Sequence, residues 1–241
     1  MAQGSGFGSI LAPFSPEEWT AILLSLKVAT VGTLASLPFG LAIAYLLARW
    51  NFPGKILLNG IVHLPLVMPP VVTGWLLLLG FGRFGPFGRF FETCCGLVFS
   101  FRWTGAALAA AVMGFPLMVR AIRLSIEAVD PRLEQAAETL GAPAPMVFAT
   151  ITAPLALPGI VAGFILAFAR AIGEFGATIT FVANIPGETQ TIATALYSAT
   201  QIPGGEAGAA RLTIVAILIA FAALIVAEIL AARVSRQAMD L

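Results

Sequence analysis

The sequence predicts an all-α integral membrane protein with five transmembrane helices, or with six as the alternative. Of its 241 residues, 59% are hydrophobic and only 10% are charged, against about 25% charged in an ordinary soluble domain. The mean hydropathy is +0.96. A soluble fold of this size could not cover its surface with so few charges, so we expect a single membrane domain over residues 1–241.

Five apolar segments are long enough to cross the hydrocarbon core, which requires about 20 residues in a helix. The first contains one charge, Lys27, and the second contains His63 but no formal charge. Gly32 in the first segment, and Gly159 with Gly163 in the fourth, favour close helix packing in lipid. In order, the segments cover residues 19–48, 56–82, 103–119, 153–181 and 212–227.

Proline sets the start of the fourth segment. Pro143 and Pro145 interrupt the charge-free run ahead of it, so we place its start near Ala153 and its end at about Phe181. Residues 189–201 are apolar but short, which predicts a partial or re-entrant helix. A full span there would raise the number of spans to six.

Positive charge is more frequent on one side of the predicted spans than on the other. With five spans, one side carries Arg49, Lys55, Arg120, Arg123, Arg132, Arg233 and Arg236, and the opposite side carries Arg83, Arg89, Arg102 and Arg211. By the positive-inside rule, the first side is cytoplasmic. We therefore expect the amino terminus outside and the carboxyl terminus inside.

The sequence lacks the usual motifs of enzyme chemistry. Neither Lys27 nor Lys55 stands in a Gly-x-x-x-x-Gly-Lys-[Ser/Thr] phosphate-binding loop, so the chain does not bind ATP in that manner. His63 is interpreted as a hydrogen-bonded residue of a kinked helix, and adjacent Cys94 and Cys95 as loop residues, because neither has metal-site spacing. We expect no catalytic residue, cofactor or metal, and the net charge of +1 argues against nucleic acid as a partner.

A short polar helix is predicted within residues 128–152, between the third and fourth spans. Asp130 is suited to cap its amino end, with Pro131 at the first helical position. Gly141 fits the carboxyl end, where a residue without Cβ takes the left-handed conformation. Pro143 and Pro145 then prevent the helix from continuing. A helix so placed outside the bilayer suits docking of another protein, and an ordinary loop helix is the alternative.

This segment resembles the coupling loop in the membrane subunits of ABC importers, which reads Glu-Ala-Ala, three residues, Gly, nine residues, Ile, one residue, Leu-Pro. The matching residues are Ala136, Ala137, Gly141, Ile151 and Pro154. Gln135 stands where the family usually has Glu, Glu134 lies one residue earlier, and Ala153 replaces the usual Leu. The resemblance implies coupling to an ATPase through Glu134, Gln135, Ala136, Ala137 and Gly141.

Two charges and two glycines occur near the outer end of the fourth span. Arg170 and Glu174 are four residues apart, so they share a helix face and can form an ion pair. An unpaired charge deep in a bilayer costs about 2.5–3.5 kcal/mol on insertion scales. Gly173 and Gly176 flank Glu174 and would let the helix loosen there. The neutral hydrogen-bonding groups that follow include Thr178 and Thr180. This group is interpreted as a structural salt bridge, as a gate of the transport pathway, or as both.

Residues 170–192 resemble the permeases of molybdate-type importers, as do residues 63–70 and 203–211, and the resemblance extends from Trp19 onward. The continuation Asn184-Ile-Pro-Gly-Glu-Thr189 favours molybdate or tungstate as the substrate. The resemblance implies a type I ABC importer permease fold in the bacterial inner membrane, with a periplasmic amino terminus and a cytoplasmic carboxyl terminus. It also implies a homodimer in the lipid bilayer, two ATP-binding cassette subunits on the cytoplasmic face and a periplasmic oxyanion-binding protein.

Other functions stay open from the sequence. Sulfate-type permeases share the coupling motif and a similar Gly-Glu-Phe-Gly run. An ion-coupled secondary anion transporter would use Glu174, Glu228 or His63 as its titrating group, but the inverted repeats that often mark such folds are not visible. A membrane-embedded enzyme has the least support.

Overall fold

The computed structural model of the protein describes residues 13–239, with side chains described as far as residue 230. All regular structure in that range is helical, which confirms the predicted all-α fold. The helices are α1 (Pro16–Arg49), α2 (Lys55–Val67), α3 (Pro70–Phe81), α4 (Pro86–Cys95), α5 (Trp103–Ala128), α6 (Pro131–Thr139), α7 (Ala144–Val147), α8 (Ala153–Ile172), α9 (Gly176–Val182), α10 (Ile192–Thr200) and α11 (Glu206–Met239). Arg233 and Arg236, which contributed to the predicted charge bias, lie outside the described side chains.

The amino ends of α1 and α11 are joined by a charged cluster. Ser15 and Glu18 form a capping box, in which the Ser15 hydroxyl accepts from the Glu18 N–H and the Glu18 carboxylate accepts from the Ser15 N–H. The Arg211 guanidinium also donates to Glu18, with Nη2 at 2.8 Å from Oε1. Glu18 therefore caps α1 and holds the start of α11 beside it.

Lys27, the one charge in the first predicted span, has an aromatic partner. Its ammonium lies 3.7 Å from the centroid of the Trp103 ring at the start of α5. A cation over an indole face is attracted by the ring quadrupole. The contact gives the ammonium group an attractive partner in an otherwise apolar span.

Four helices of the described residues are long and apolar enough to cross a membrane: α1, α5, the continuous helix Ala144–Ile172, and Glu206–Leu230 of α11. Helices α2 and α3 pass the same test as a pair but are bent by 115°, so they form a broken span or a re-entrant loop. The predicted number of five spans is therefore the largest that the described helices allow, and it is reached when the bent pair counts as one span. The alternative sixth span has no counterpart within residues 13–239, because α10 has only nine residues.

The second predicted span, residues 56–82, was expected to be kinked near His63, and the structure shows a full break between α2 and α3. Pro69 and Pro70 have no N–H to donate to the preceding turn. Met68 precedes a proline and is extended, with φ −71° and ψ 146°. These two effects end α2 at Val67 and let α3 begin again with Pro70 in its first turn.

The predicted limits of the fourth span also need correction at both ends. Helical structure begins at Ala144 rather than near Ala153, and it passes through a π-helical turn (Phe148–Thr152) into α8. Prolines near the start of a helix are tolerated because the first N–H groups have no intrahelical partner. At the other end, α8 stops at Ile172, and Gly176–Val182 forms the separate helix α9.

The core is centred on α5, which packs between α1 and α8. Met113 and Ile122 of α5 are at most 1% exposed. A Cβ added at Gly32 of α1 would lie 2.5 Å from the Ala107 carbonyl oxygen. One added at Gly163 of α8 would lie 2.9 Å from the Met118 carbonyl oxygen. The predicted close packing through small residues is confirmed at these two crossings.

Cys94 and Cys95 are helical, which corrects their interpretation as loop residues. They are the last two residues of α4, which ends at Gly96 with φ +65°. Both thiols are exposed and lie 2.8 Å apart. The local signal was the apolar pattern of α4, whose Phe87 and Phe91 pack against Phe81 of α3.

Candidate functional site

Helix α6 has well-formed caps at both ends. The Asp130 carboxylate accepts from the Arg132 N–H at 2.9 Å, and Pro131 occupies the first turn. Gly141 has φ +88°, and hydrogen bonds run from Gly141 N to the Glu138 carbonyl and from Ala142 N to the Ala137 carbonyl. This arrangement is a Schellman motif. The short, two-ended helix predicted from the sequence is therefore present.

One side of α6 is open to a partner. Gln135, Ala136 and Gly141 are exposed, whereas Ala137 is half-buried. Two apolar side chains that sequence reasoning did not single out extend this exposed side: Leu133 is 48% exposed and Leu140 is 89% exposed. The available signal was the occurrence of two leucines in a short polar helix outside the bilayer. Large exposed apolar groups of this kind mark interaction surfaces.

Glu134 lies on the inner side of α6 and not on the exposed side. Its carboxylate pairs with the guanidinium of Arg49, the last residue of α1, at 3.0 Å, and each side chain is 13% exposed. It also accepts a hydrogen bond of 2.6 Å from the hydroxyl of Thr152, a fully buried residue of the π-helical turn. Glu134 thus connects three elements that are far apart in the sequence.

Arg49 extends this connection to the end of α5. Its Nη2 donates both to Glu134 and to the carbonyl of Val129, at 3.0 Å and 2.9 Å. We call Arg49, Glu134 and Thr152 the inner network. It joins α1, the link between α5 and α6, helix α6 itself, and the turn that leads into α8. Charge-assisted hydrogen bonds are shorter and stronger than neutral ones, so this network holds α6 in a defined orientation.

The predicted ion pair between Arg170 and Glu174 is present across the break between α8 and α9. Arg170 Nη1 lies 2.7 Å from Glu174 Oε2, with the side chains 28% and 2% exposed. The other carboxylate oxygen of Glu174 accepts from the Ala177 N–H at 2.8 Å, in the first turn of α9. A carboxylate at a helix amino end satisfies a free N–H and interacts favourably with the helix dipole. Glu174 therefore contacts both helices at the break, α8 through Arg170 and α9 through the Ala177 N–H.

The two breaks in the chain lie against each other. A Cβ added at Gly176, the first residue of α9, would lie 2.8 Å from the Pro70 Cβ at the start of α3. A Cβ added at Gly74 of α3 would lie 2.6 Å from the Ala177 carbonyl oxygen. The backbones of α3 and α9 are therefore packed closely together. A side chain at either glycine would force the two helices apart.

The remaining residues predicted for this group differ in their placement. Gly173 is exposed with φ −88°, and the nearest atom to an added Cβ is 4.0 Å away, so neither space nor backbone conformation requires glycine there. Thr178 is buried, at 1% exposure. The Thr180 hydroxyl donates to the Gly176 carbonyl at 2.8 Å within its own helix. The structure thus brings Arg170, Glu174 and Gly176 together and leaves the two threonines as packing residues of α9.

The sequence analysis did not predict two residues of α3 that lie at this contact. Gly74 forms the close approach described above, and neighbouring Thr73 is 4% exposed, with a hydroxyl that has no hydrogen-bond partner among the described residues. Such a group is rare in a folded protein. The available signal was the Pro-Pro-Val-Val-Thr-Gly stretch at residues 69–74, which places both residues one turn beyond a break.

His63 of α2 is hydrogen-bonded as its interpretation required, with Nδ1 at 2.8 Å from the carbonyl oxygen of Asn59 one turn earlier. Within the part of the chain that the structure describes, no three His, Cys, Asp or Glu residues are grouped as metal ligands. The chemistry of the described polar groups is therefore ion pairing and hydrogen bonding.

Residues 36–236 match the family described as binding-protein-dependent transport system inner membrane component. The chain is 60% identical over 220 residues to the molybdenum transport system permease protein ModB of Escherichia coli (strain K12), covering 91% of this chain and 96% of that protein. It is 33% identical over 183 residues to the sulfate transport system permease protein CysT of Salmonella typhimurium, covering 76% of this chain and 66% of that protein.

A solved structure of the MetNI methionine ABC transporter in inward-facing conformations has the same fold. Its TM-score is 0.69 at 15% sequence identity, with 92% of this chain and 99% of that chain covered. The predicted type I ABC importer permease fold is thereby confirmed. Since the family match spans most of the chain, this protein belongs to the binding-protein-dependent transport system inner membrane components, as a multi-pass permease subunit and not an enzyme.

Proposed function

We propose that this protein is the permease subunit of an ATP-driven importer that carries molybdate or tungstate across the bacterial inner membrane. The observation that carries the proposal is the much higher identity to a molybdenum transport permease than to a sulfate transport permease. Sulfate-type transport is the second candidate, because these oxyanions share charge and tetrahedral shape. Residues 1–241 form one permease domain, in which residues 128–152 are the coupling loop.

Uptake of such an ion needs an energy source. Moving a dianion inward against an interior-negative potential of about 100 mV costs about 4.6 kcal/mol, twice the figure for a single charge. The sequence contains no P-loop motif, so the energy enters through a partner. We assign this role to two ATP-binding cassette subunits that dock on the exposed side of α6, and substrate capture to a periplasmic oxyanion-binding protein.

The inner network supplies a route for coupling. When a partner moves the exposed side of α6, Glu134 pulls on Arg49 at the end of α1 and on Thr152 ahead of α8. In this proposal Gln135, Ala136 and Gly141 belong to the docking side, and Glu134 transmits the motion into the membrane helices. A rigid connection is required because a loose one would dissipate a movement of a few ångströms.

The adjoining breaks form the proposed gate. Broken helices at membrane depth are tolerated only where they are buried in protein or line a water-filled cavity. Large exposed apolar side chains remain on α2 and α3, including Val67 at 83% and Trp75 at 53%. We propose that a second copy of the chain packs beside this face and that the pathway runs between the two copies.

A secondary transporter agrees less well with the arrangement of the carboxylates. Glu174 is held by Arg170 and by the Ala177 N–H, so it is occupied with closing a helix break. Glu228 lies exposed on α11. Neither carboxylate stands free in an enclosed polar cavity, which is the environment that a proton relay requires.

The first prediction tests the substrate. The permease, reconstituted in proteoliposomes with its ATPase and binding protein, should take up molybdate and tungstate with ATP hydrolysis and take up sulfate poorly. The binding protein should carry most of this selectivity, because the ions differ mainly in size. Isotope uptake with each ion, with and without ATP, measures it. Sulfate uptake as efficient as molybdate uptake would overturn the substrate, and uptake without ATP would overturn the class of transporter.

The second prediction tests coupling. Gly141→Val should sharply lower transport, because a β-branched residue at φ +88° costs about 1–2 kcal/mol and distorts the end of α6. The matched control is Gly96→Val, since Gly96 also follows a helix with positive φ and has open space around an added Cβ. Uptake and ATPase activity are compared at equal expression. Equal transport by the two variants would contradict the docking role of α6.

The third prediction tests orientation. An impermeant thiol reagent should label Cys94 in intact cells carrying Cys95→Ser, because we propose that α4 lies on the periplasmic side. In a Cys94→Ser, Cys95→Ser background, Glu138→Cys should be labelled only after the membrane is opened. Glu138 is exposed on α6, so a lack of labelling in intact cells reports its side and not its burial. Labelling of position 138 from outside would refute the proposed topology.

The fourth prediction tests the gate. Glu174→Gln should insert and assemble but transport poorly, because Arg170 loses its counter-charge while the amide oxygen can still accept at α9. Glu228→Gln, an exposed carboxylate on α11, is the matched control and should transport normally. A neutral pair, Arg170→Gln with Glu174→Gln, should assemble without regaining transport. Full transport by the neutral pair would show that the pair is only structural.

A further inference from the structure

A polar cleft lies between α2 and α5, at the end of α5 that leads into α6. Its volume is about 270 Å³, and it is lined by Asn59, His63, Arg120, Arg123, Leu124 and Glu127. We call it the inner cleft, since α6 lies on the cytoplasmic side in the proposed function. The cleft is separate from the inner network and from the gate, and neither of them accounts for its charges.

Hydrogen bonds connect four residues of the cleft. Arg123 Nε donates to Glu127 Oε1 at 2.7 Å, and its Nη1 donates to Asn59 Oδ1 at 3.1 Å. His63 Nδ1 lies 2.8 Å from the Asn59 carbonyl oxygen. Because a carbonyl only accepts, this nitrogen carries a proton, and Nε2 is left for another partner. The guanidinium and the imidazole are therefore oriented before any ligand arrives.

Arg120 supplies the excess charge of the cleft. Its side chain is exposed, and it makes no ion pair or hydrogen bond with any side chain that the structure describes. Arg123 is already paired with Glu127. The two arginines and the one glutamate of the cleft have a net charge of +1, and the unpaired charge is that of Arg120. An unpaired arginine beside a second arginine of fixed orientation is suited to an anion.

We propose that the inner cleft binds a tetrahedral oxyanion, with Arg120 as the principal cation and Arg123 as its oriented neighbour. Guanidinium groups match the oxygens of tetrahedral anions through paired N–H donors. The volume of 270 Å³ admits such an ion with part of its hydration shell. Glu127 offsets the charge of Arg123 and so weakens the attraction for an anion, and weak binding suits the release that a transport pathway requires.

Two sources can supply this chemistry. One is the transported oxyanion on its way into the cytoplasm, which rests on the proposed function. The other is the phosphate of an anionic lipid at the inner leaflet, because Leu124, 59% exposed, places an apolar group at the edge of the cleft. The test below distinguishes them.

Protection of a cysteine at position 124 reports occupancy of the cleft. Leu124→Cys, in a Cys94→Ser, Cys95→Ser background, is assembled with its ATPase partner and placed in nanodiscs. Labelling by a neutral maleimide is followed with tungstate or with chloride at equal ionic strength. Slower labelling with tungstate in phosphatidylcholine identifies the free oxyanion. Slower labelling in discs containing phosphatidylglycerol, without tungstate, identifies the lipid phosphate. Equal rates in all of these conditions would overturn the proposal.

Arg120→Gln is the decisive variant, because an unpaired exposed side chain can be changed without breaking a described contact. Loss of one charge-assisted contact should raise the concentration of tungstate, or the fraction of anionic lipid, needed for half-protection about tenfold. Arg89→Gln, an exposed arginine on α4, is the matched control and should leave protection unchanged. Protection that persists in Arg120→Gln would overturn the site.

The proposed function and the cleft can fail separately. Normal molybdate uptake by the reconstituted importer with no protection at position 124 would remove the cleft and leave the importer standing. Protection by tungstate in an assembly that shows no ATP-driven uptake would overturn the proposed importer and support the anion site in the cleft.

Discussion

The backbone of a membrane protein must satisfy its own hydrogen bonds, and the rest of this structure follows from how two helix breaks meet that demand. In lipid each unpaired N–H or C=O group is expensive, so an interrupted helix needs protein around the interruption. The chain breaks at Pro69 and again after Ile172, and it brings the two breaks into contact. The Glu174 carboxylate closes one of them by accepting from Ala177, and the contact of Gly176 with Pro70 excludes lipid from between them.

Ionisable groups inside the helical bundle are arranged in pairs that join separate elements. Glu18 and Arg211 hold the amino ends of α1 and α11 together, and Arg49 with Glu134 ties α1 to α6. Arg170 and Glu174 span the break before α9. Removing one member of such a pair leaves an uncompensated charge, so each pair constrains the relative position of its two elements. Each of these three pairs therefore joins two elements of the fold.

The inner network gives Glu134 a different role from the one that its position on α6 suggests. A glutamate on a docking helix suggests direct contact with the partner, but Glu134 is 13% exposed and turned toward Arg49 and Thr152. The exposed side of α6 carries Gln135, Ala136 and the apolar Leu140 instead. Docking and transmission are thus assigned to opposite sides of one short helix. The inner cleft lies at the end of α5 that leads into α6.

The sequence by itself determined those features that depend on composition or on neighbouring residues. Scarcity of charge identified a membrane protein, and Asp130, Pro131 and Gly141 delimited α6, because caps and positive φ are properties of a few adjacent residues. The spacing of Arg170 and Glu174 likewise predicted their pairing. Each of these inferences needed only local geometry.

Only the tertiary structure decided where helices break and which distant groups meet. Pro38 and Pro116 lie inside the unbroken helices α1 and α5, whereas Pro69 and Pro70 accompany a bend of 115°. The presence of proline therefore does not by itself locate a break: two adjacent prolines after the extended Met68 end α2, whereas one proline is accommodated within α1 and one within α5. Arg49 reaches Glu134 across 85 positions. No periodicity or motif encodes that contact, since it arises only when α1, α5 and α8 are packed side by side.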